Sequence, residues 1–132
     1  DLLGDDTVAT VTPKLIGEGQ GFMSNVYRLS FTTQGGRALS VVAKISNAVG
    51  AAMPAMYKAE ADYYRSAASL GRKLARMPAS YGCQISASNT EFVLLLEDLC
   101  SPYAAGDQVQ SASLEDAQAA MDSLAAFHAQ WW

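Results

Sequence analysis

The chain has 132 residues, half of them hydrophobic, which is enough for one domain with a real core and too little for a second complete one. Nine basic residues against thirteen acidic ones give a net charge of −4 with no basic block, so nucleic acid is not an expected partner. The chain has no apolar run of about eighteen residues and no basic segment leading into an apolar one, so neither a membrane span nor a signal peptide is expected.

The first element in chain order is a strand predicted from about Val11 to Gly19, followed by a second from Ser24 to Thr33. In the second, Tyr27, Leu29 and Phe31 alternate with Val26, Arg28 and Ser30, so the two sets fall on opposite faces. The two strands join across Gly17, Gly19 and Gly21, at the end of the first and in the turn after it. Glycines there mark a tight turn in any hairpin, but they also let a backbone approach an anion closely and donate N–H groups to it. Gln34-Gly35-Gly36 is a further turn, after which Arg37 to Ser46 forms a third strand. Val41, Ala43 and Ile45 share one face of it, with Val42 and Lys44 on the other.

A lysine within a sheet is costly unless it has a partner or faces a cleft, although an edge-strand lysine can also serve against aggregation. The downstream Glu60 supplies a candidate partner. Glycine-rich turn, lysine strand and glutamate helix, in this order, are the parts that hold nucleotide phosphates, with the lysine as point charge and the glutamate fixing it.

Asn47 to Pro54 is rich in small residues and is expected to be a loop. Ala55 to Ala75 is predicted to be a helix with an apolar stripe of Met56, Ala59, Tyr63, Ala67 and Leu70, and Glu60 on its flank. Gly71 interrupts the pattern, and Met77-Pro78 ends it. A second hairpin follows, Ser80 to Ile85 and Glu91 to Glu97, across the polar turn Ser86 to Thr90. Ser101 to Ser111 reads as a linker, and a last helix opens at a cap formed by Ser113 and Asp116. Its stripe is Leu114, Ala117, Met121, Leu124, His128 and Trp131, which makes His128 an expected core histidine rather than a catalytic base.

Cys83 and Cys100 lack metal-ligand spacing, and His128 is the single histidine, so no metal site is expected; reduced, buried thiols in a cytoplasmic protein are the reading, with a single bridge between the two as the alternative. The fold class expected is α+β, a five-stranded antiparallel sheet with one packed helix, then a linker and a C-terminal helix.

Several of these segments together resemble a family. Ser24-Asn25-Val26-Tyr27-Arg28-Leu29 is similar to the phosphate loop and second strand of the kinase-like small-molecule phosphotransferases, which include aminoglycoside phosphotransferases, choline kinases and ecdysteroid-kinase-like proteins. Val42-Ala43-Lys44 resembles their lysine strand, Glu60-Ala61-Asp62-Tyr63-Tyr64 the start of the paired helix, and Met77-Pro78-Ala79-Ser80-Tyr81 the entry to the fourth strand. Leu94-Leu95-Leu96-Glu97-Asp98-Leu99 is similar to their hinge, above all in the ecdysteroid-kinase-like branch, and Leu124 to Trp132 resembles the helix opening the C-terminal lobe. The glycine pattern departs from G-x-G-x-x-G, which favours a small-molecule kinase over a protein kinase.

The resemblance covers about Leu15 to Trp132 and implies a protein-kinase-like N-terminal lobe over residues 1–99, a hinge or linker over 100–112 and the first helix of a second lobe over 113–132. It implies ATP with Mg as cofactor and a small-molecule hydroxyl acceptor for the whole protein. Lys44 would contact the α- and β-phosphates and pair with Glu60. The loop from Gly19 and Gly21 to Asn25 would cover the phosphates, with Ser24 donating a hydrogen bond. Val26 and Val42 would lie against the adenine, and the backbone from Glu97 to Leu99 would bond its edge.

No H-G-D or D-F-G-like segment occurs, so no catalytic residue and no metal ligand is assigned within the chain, which is read as a fragment ending before the catalytic loop and inactive by itself. A standalone non-catalytic module that binds nucleotide or protein is the alternative. The apolar stripe of the last helix is expected to dock on its own sheet or to pair two copies as a homodimer.

Overall fold

The computed structural model describes residues 2–17, 22–69, 77–101, 103–104, 106–107 and 109–131. Gly19, Gly21, Leu70, Gly71 and the rest of the expected helix to Ala75, Pro102 and Trp132 lie outside them, as does the side chain of Trp131. Five strands form one antiparallel sheet: β1 (Val8–Ile16), β2 (Ser24–Thr33), β3 (Ala38–Ser46), β4 (Ser80–Ile85) and β5 (Phe92–Glu97), in the spatial order β1-β2-β3-β5-β4. Among the described residues three helices accompany it, α1 (Ala48–Ala51), α2 (Pro54–Ser69) and α3 (Leu114–Trp131). This is the expected α+β class, a kinase-like N-terminal lobe.

The register decides which side chains share a face. Val26 stands opposite Lys44, and Lys44 opposite Leu94; one step along, Arg28 stands opposite Val42, and Val42 opposite Leu96. All six therefore lie on one face of the sheet. Helix α2 covers the β4–β5 half of that face. Tyr57 and Ala61 of α2 pack on Phe92 and Leu94 of β5, with Tyr64, Cys83, Ile85 and Leu96 around them. The Tyr57 and Phe92 rings stack at a centroid distance of 5.1 Å with 7° between planes. Among the described residues no helix covers the β2–β3 half of the face, which is the cleft side in the kinase-like arrangement.

The turn between β2 and β3 is fastened from the N-terminal segment. The Asp6 carboxylate accepts from the amides of Thr7 and Gly35, and Arg37 donates to the carbonyls of Leu2 and Leu3. A hydrogen bond from the Thr33 side chain, then that from Gly35, hold the Asp6 carboxyl below its usual pKa. Gly36 takes φ +82°, the left-handed conformation that a glycine adopts without steric cost.

Three expectations are corrected. Residues 48–51 are helical rather than loop, because the Asn47 side chain accepts from the Gly50 amide and caps the turn. The stripe expected for α2 is rotated: Met56 and Ala59 are exposed, while Tyr57, Glu60, Ala61 and Tyr64 face the sheet. A face that carries a glutamate does not register as apolar, so periodicity points away from it. His128 is exposed, and the described side chains of α3 are solvent-facing except at Phe127, whose ring lies 6.1 Å from Tyr63 of α2. Among the described residues, the ring contact of α3 is thus with α2. Among the described residues no helix is long and apolar enough to cross a membrane.

Both cysteines are free, as expected, but Cys100 is exposed and only Cys83 is half-buried. Burial pushes the Cys83 thiol up from its ordinary pKa.

Candidate functional site: one sheet face between two ion pairs

Two ion pairs flank a strip of apolar side chains on the cleft face. The first is Lys44 with Glu60. The Nζ donates to both carboxylate oxygens at 2.8 Å, and the side chains are 30% and 28% accessible. Glu60 reaches the sheet because Tyr57 and Ala61, three residues before it and one after, are locked into the core. Lys58, two residues before Glu60, pairs instead with Asp62 one turn on. The Lys44 ammonium is thus held on the cleft side of β3 with its charge balanced by Glu60.

The second pair ties β2 to the end of β5. Arg28 donates through Nε to Asp98 Oδ2 at 2.7 Å and through Nη2 to Oδ1 at 3.2 Å, a bidentate fork. The Ser40 hydroxyl donates to Oδ2 at 2.8 Å and the Cys100 amide to Oδ1 at 3.2 Å. Burial pushes the Asp98 carboxyl up, but the hydrogen bonds from Ser40, Arg28 and Cys100 outweigh it and hold the pKa below the ordinary carboxylate value. Its side chain is 4% accessible.

Between the pairs lie Val26, Val42 and Leu96, all half-buried. Ser24, the first residue of β2, is buried opposite Ser46 on this same face, whereas Asn25 points to the other face and is exposed. The loop that precedes β2 is anchored from two elements: Tyr57 of α2 donates its hydroxyl to the Met23 carbonyl, and the Asn47 side-chain amide donates to the Phe22 carbonyl at 3.2 Å. Gly50 permits this approach, since a Cβ there would collide with the Tyr57 hydroxyl and the Met23 carbonyl.

At the far end, Glu97 is bound on both sides to Ala79, donating its amide to the Ala79 carbonyl at 2.8 Å and accepting the Ala79 amide on its side chain at 3.1 Å. Leu99 is half-buried, and its amide makes no hydrogen bond among the described residues.

Thus Ser24, Val26, Val42, Lys44 and Glu60 come together on one face, Glu97 and Leu99 stand at its edge beyond Leu96, Asn25 lies behind the sheet, and Gly19 and Gly21 lie outside the described residues. Arg28, Ser40 and Asp98 do not stand out as site residues in the sequence. Parity alone places Arg28 and Ser40 on the Lys44 face, but the partner of Arg28 is seventy positions away. Among the described residues no three of His, Cys, Asp and Glu stand close enough to hold a metal ion.

No curated protein and no solved structure gives a significant match to the chain. The sequence pattern of the ecdysteroid kinase-like family matches residues 18–130, which span the glycine-rich turn, the cleft face and both ion pairs. The chain belongs to the ecdysteroid kinase-like family.

Proposed function

We propose that residues 1–99 bind ATP as the nucleotide lobe of a phosphotransferase acting on a hydroxyl of a small molecule, with 100–112 as its hinge or linker and 113–132 as a helix beyond it. The observation that carries this reading is the Lys44–Glu60 pair at 2.8 Å beside the half-buried Val26, Val42 and Leu96 on one sheet face. A charge-balanced lysine next to an apolar strip suits a ligand with an anionic end and a flat apolar end.

In this reading Lys44 meets the α- and β-phosphates and Glu60 keeps its ammonium in place. Ser24 offers its hydroxyl at the loop end, where Gly19, Gly21 and Asn25 contribute backbone amides. Val26 and Val42 lie against the adenine. The Glu97 amide is engaged with Ala79, which leaves its carbonyl, together with the Leu99 amide, for the edge of the base. ATP supplies the phosphoryl group and magnesium screens its charge; the residues named here bind and orient, and none is assigned a metal or a proton-transfer step.

Titration of the chain with ATP, followed by amide chemical shifts and calorimetry, tests the proposal. Binding in the millimolar range is expected, about −4 kcal/mol, with shifts centred on Ser24, Val42 and Lys44. Lys44→Ala is expected to abolish the phosphate-dependent shifts. Unaltered shifts in that variant would overturn the assignment.

A further inference from the structure

Asp98 has more hydrogen-bond partners than a surface ion pair needs. Its two oxygens accept four donors from three places: Arg28 on β2, Ser40 on β3 and the Cys100 amide on the chain just beyond it. Continuing the pairing of β5 with β3 past Val41 and Glu97 would bring Asp98 opposite Ser40, yet β5 ends at Glu97 and the side chain takes over where the backbone ladder stops. The chain therefore leaves the sheet at a place set by a carboxylate and not by a ladder hydrogen bond. The residue on either side of Asp98 is one assigned to the base edge, Glu97 and Leu99.

We infer that the Arg28–Asp98–Ser40 cluster positions the base-recognition segment: Asp98 does not touch the ligand, but fixes the direction in which Glu97 and Leu99 present their backbone groups to the strip formed by Val26, Val42 and Leu96. The geometry supports a positioning role in three ways. The bidentate fork fixes orientation as well as distance, which a single contact does not. The bond from the Cys100 amide makes a closed turn of the 98–100 segment, so that the Leu99 peptide has little freedom. The backbone on the other side is held by the reciprocal bonds of Glu97 with Ala79. Together these hold the segment on both sides of the Leu99 amide before any ligand arrives, which lowers the ordering cost of binding.

The inference rests on the ATP reading, and the test separates the two by splitting the nucleotide. Adenosine probes the base end and tripolyphosphate the phosphate end, each titrated into the chain and into Asp98→Asn, Arg28→Lys and Lys44→Ala. Asp98→Asn is expected to weaken adenosine binding about tenfold, the size of one lost charge-assisted partner, with tripolyphosphate binding unchanged. Arg28→Lys keeps the charge but not the fork and is expected to weaken adenosine in the same direction. Lys44→Ala is expected to do the reverse, weakening tripolyphosphate alone. Without ligand, Asp98→Asn should shift the Leu99 and Cys100 amide resonances.

A purely structural pair would lower the melting temperature while leaving the ratio of the two affinities as in the unaltered chain, and that result would overturn the inference alone. So would unmoved Leu99 and Cys100 resonances in Asp98→Asn. A chain that binds neither probe would overturn the nucleotide reading and the positioning role with it.

Discussion

Lys44 and Glu60 are each about a third accessible, so the free energy of their pair for folding is small, roughly 0–1 kcal/mol after solvent screening. The pair matters instead for where the ammonium points. Glu60→Gln is expected to leave the melting temperature within about 5 °C and to weaken tripolyphosphate binding, because Lys44 loses its anchor; thermal denaturation beside a titration separates the two effects. Asp98, by contrast, has a nearly buried side chain. Its folded pKa lies below the ordinary carboxylate value, so its contribution to stability is complete above about pH 4 and is lost as the pH falls through the folded pKa. Urea unfolding across pH 2–6 should therefore show a steeper acid loss in the unaltered chain than in Asp98→Asn, and parallel profiles would contradict the assignment. Lys44 and Glu60 are legible in the sequence because each stands out against an apolar strand or a helix start. Arg28 and Asp98 are not, since an arginine at a strand surface and an acid after a strand are ordinary until the sheet brings them together.

At the scale of elements, strands are the legible part. The bounds of β2 and β4 coincide with those expected, because strict alternation and flanking turns mark both ends. Helix α2 is legible as a helix, but its buried face is not: small residues and an ion pair occupy positions where a hydrophobic stripe would be sought. The short α1 escapes because a capping asparagine before small residues looks the same as a loop. The cost of disturbing α2 follows from its two anchors. Leu94 is fully buried under it, and Leu94→Ala should destabilise by about 2–5 kcal/mol. Tyr57→Phe retains the stack on Phe92 and loses the hydroxyl bonds to the Met23 carbonyl and the Asn47 amide, a smaller loss of about 1 kcal/mol. Equal losses in chemical denaturation would mean that the hydroxyl, and not the packing, holds the helix.

Over the whole molecule, the sheet order places β5 between β3 and β4, so that the segment leaving β5 emerges beside the lysine strand rather than at an edge. That insertion joins the two ion pairs across one face, and no local pattern of residues encodes it. Helix α3 lies outside this arrangement. Its described apolar side chains Leu114, Met121 and Leu124 are 86%, 63% and 44% exposed, and Phe127 alone of its described side chains is half-covered, beside Tyr63. Spaced seven and three residues apart, the three exposed side chains line one side of the helix, too narrow a contact for an isolated 18-residue helix to gain protection from its own fold. Pairing of two copies along this row is the expected way of covering it, on a two-fold axis that sets each row against its equivalent. Light scattering should then give a mass that doubles as concentration rises, and amide exchange in α3 should slow in step while exchange in β5 stays constant. Met121→Glu, at a side chain that is 63% exposed, should hold the mass at one chain without lowering the melting temperature. A single-chain mass at every concentration, with α3 exchanging rapidly throughout, would show that the row stays open to solvent in this chain.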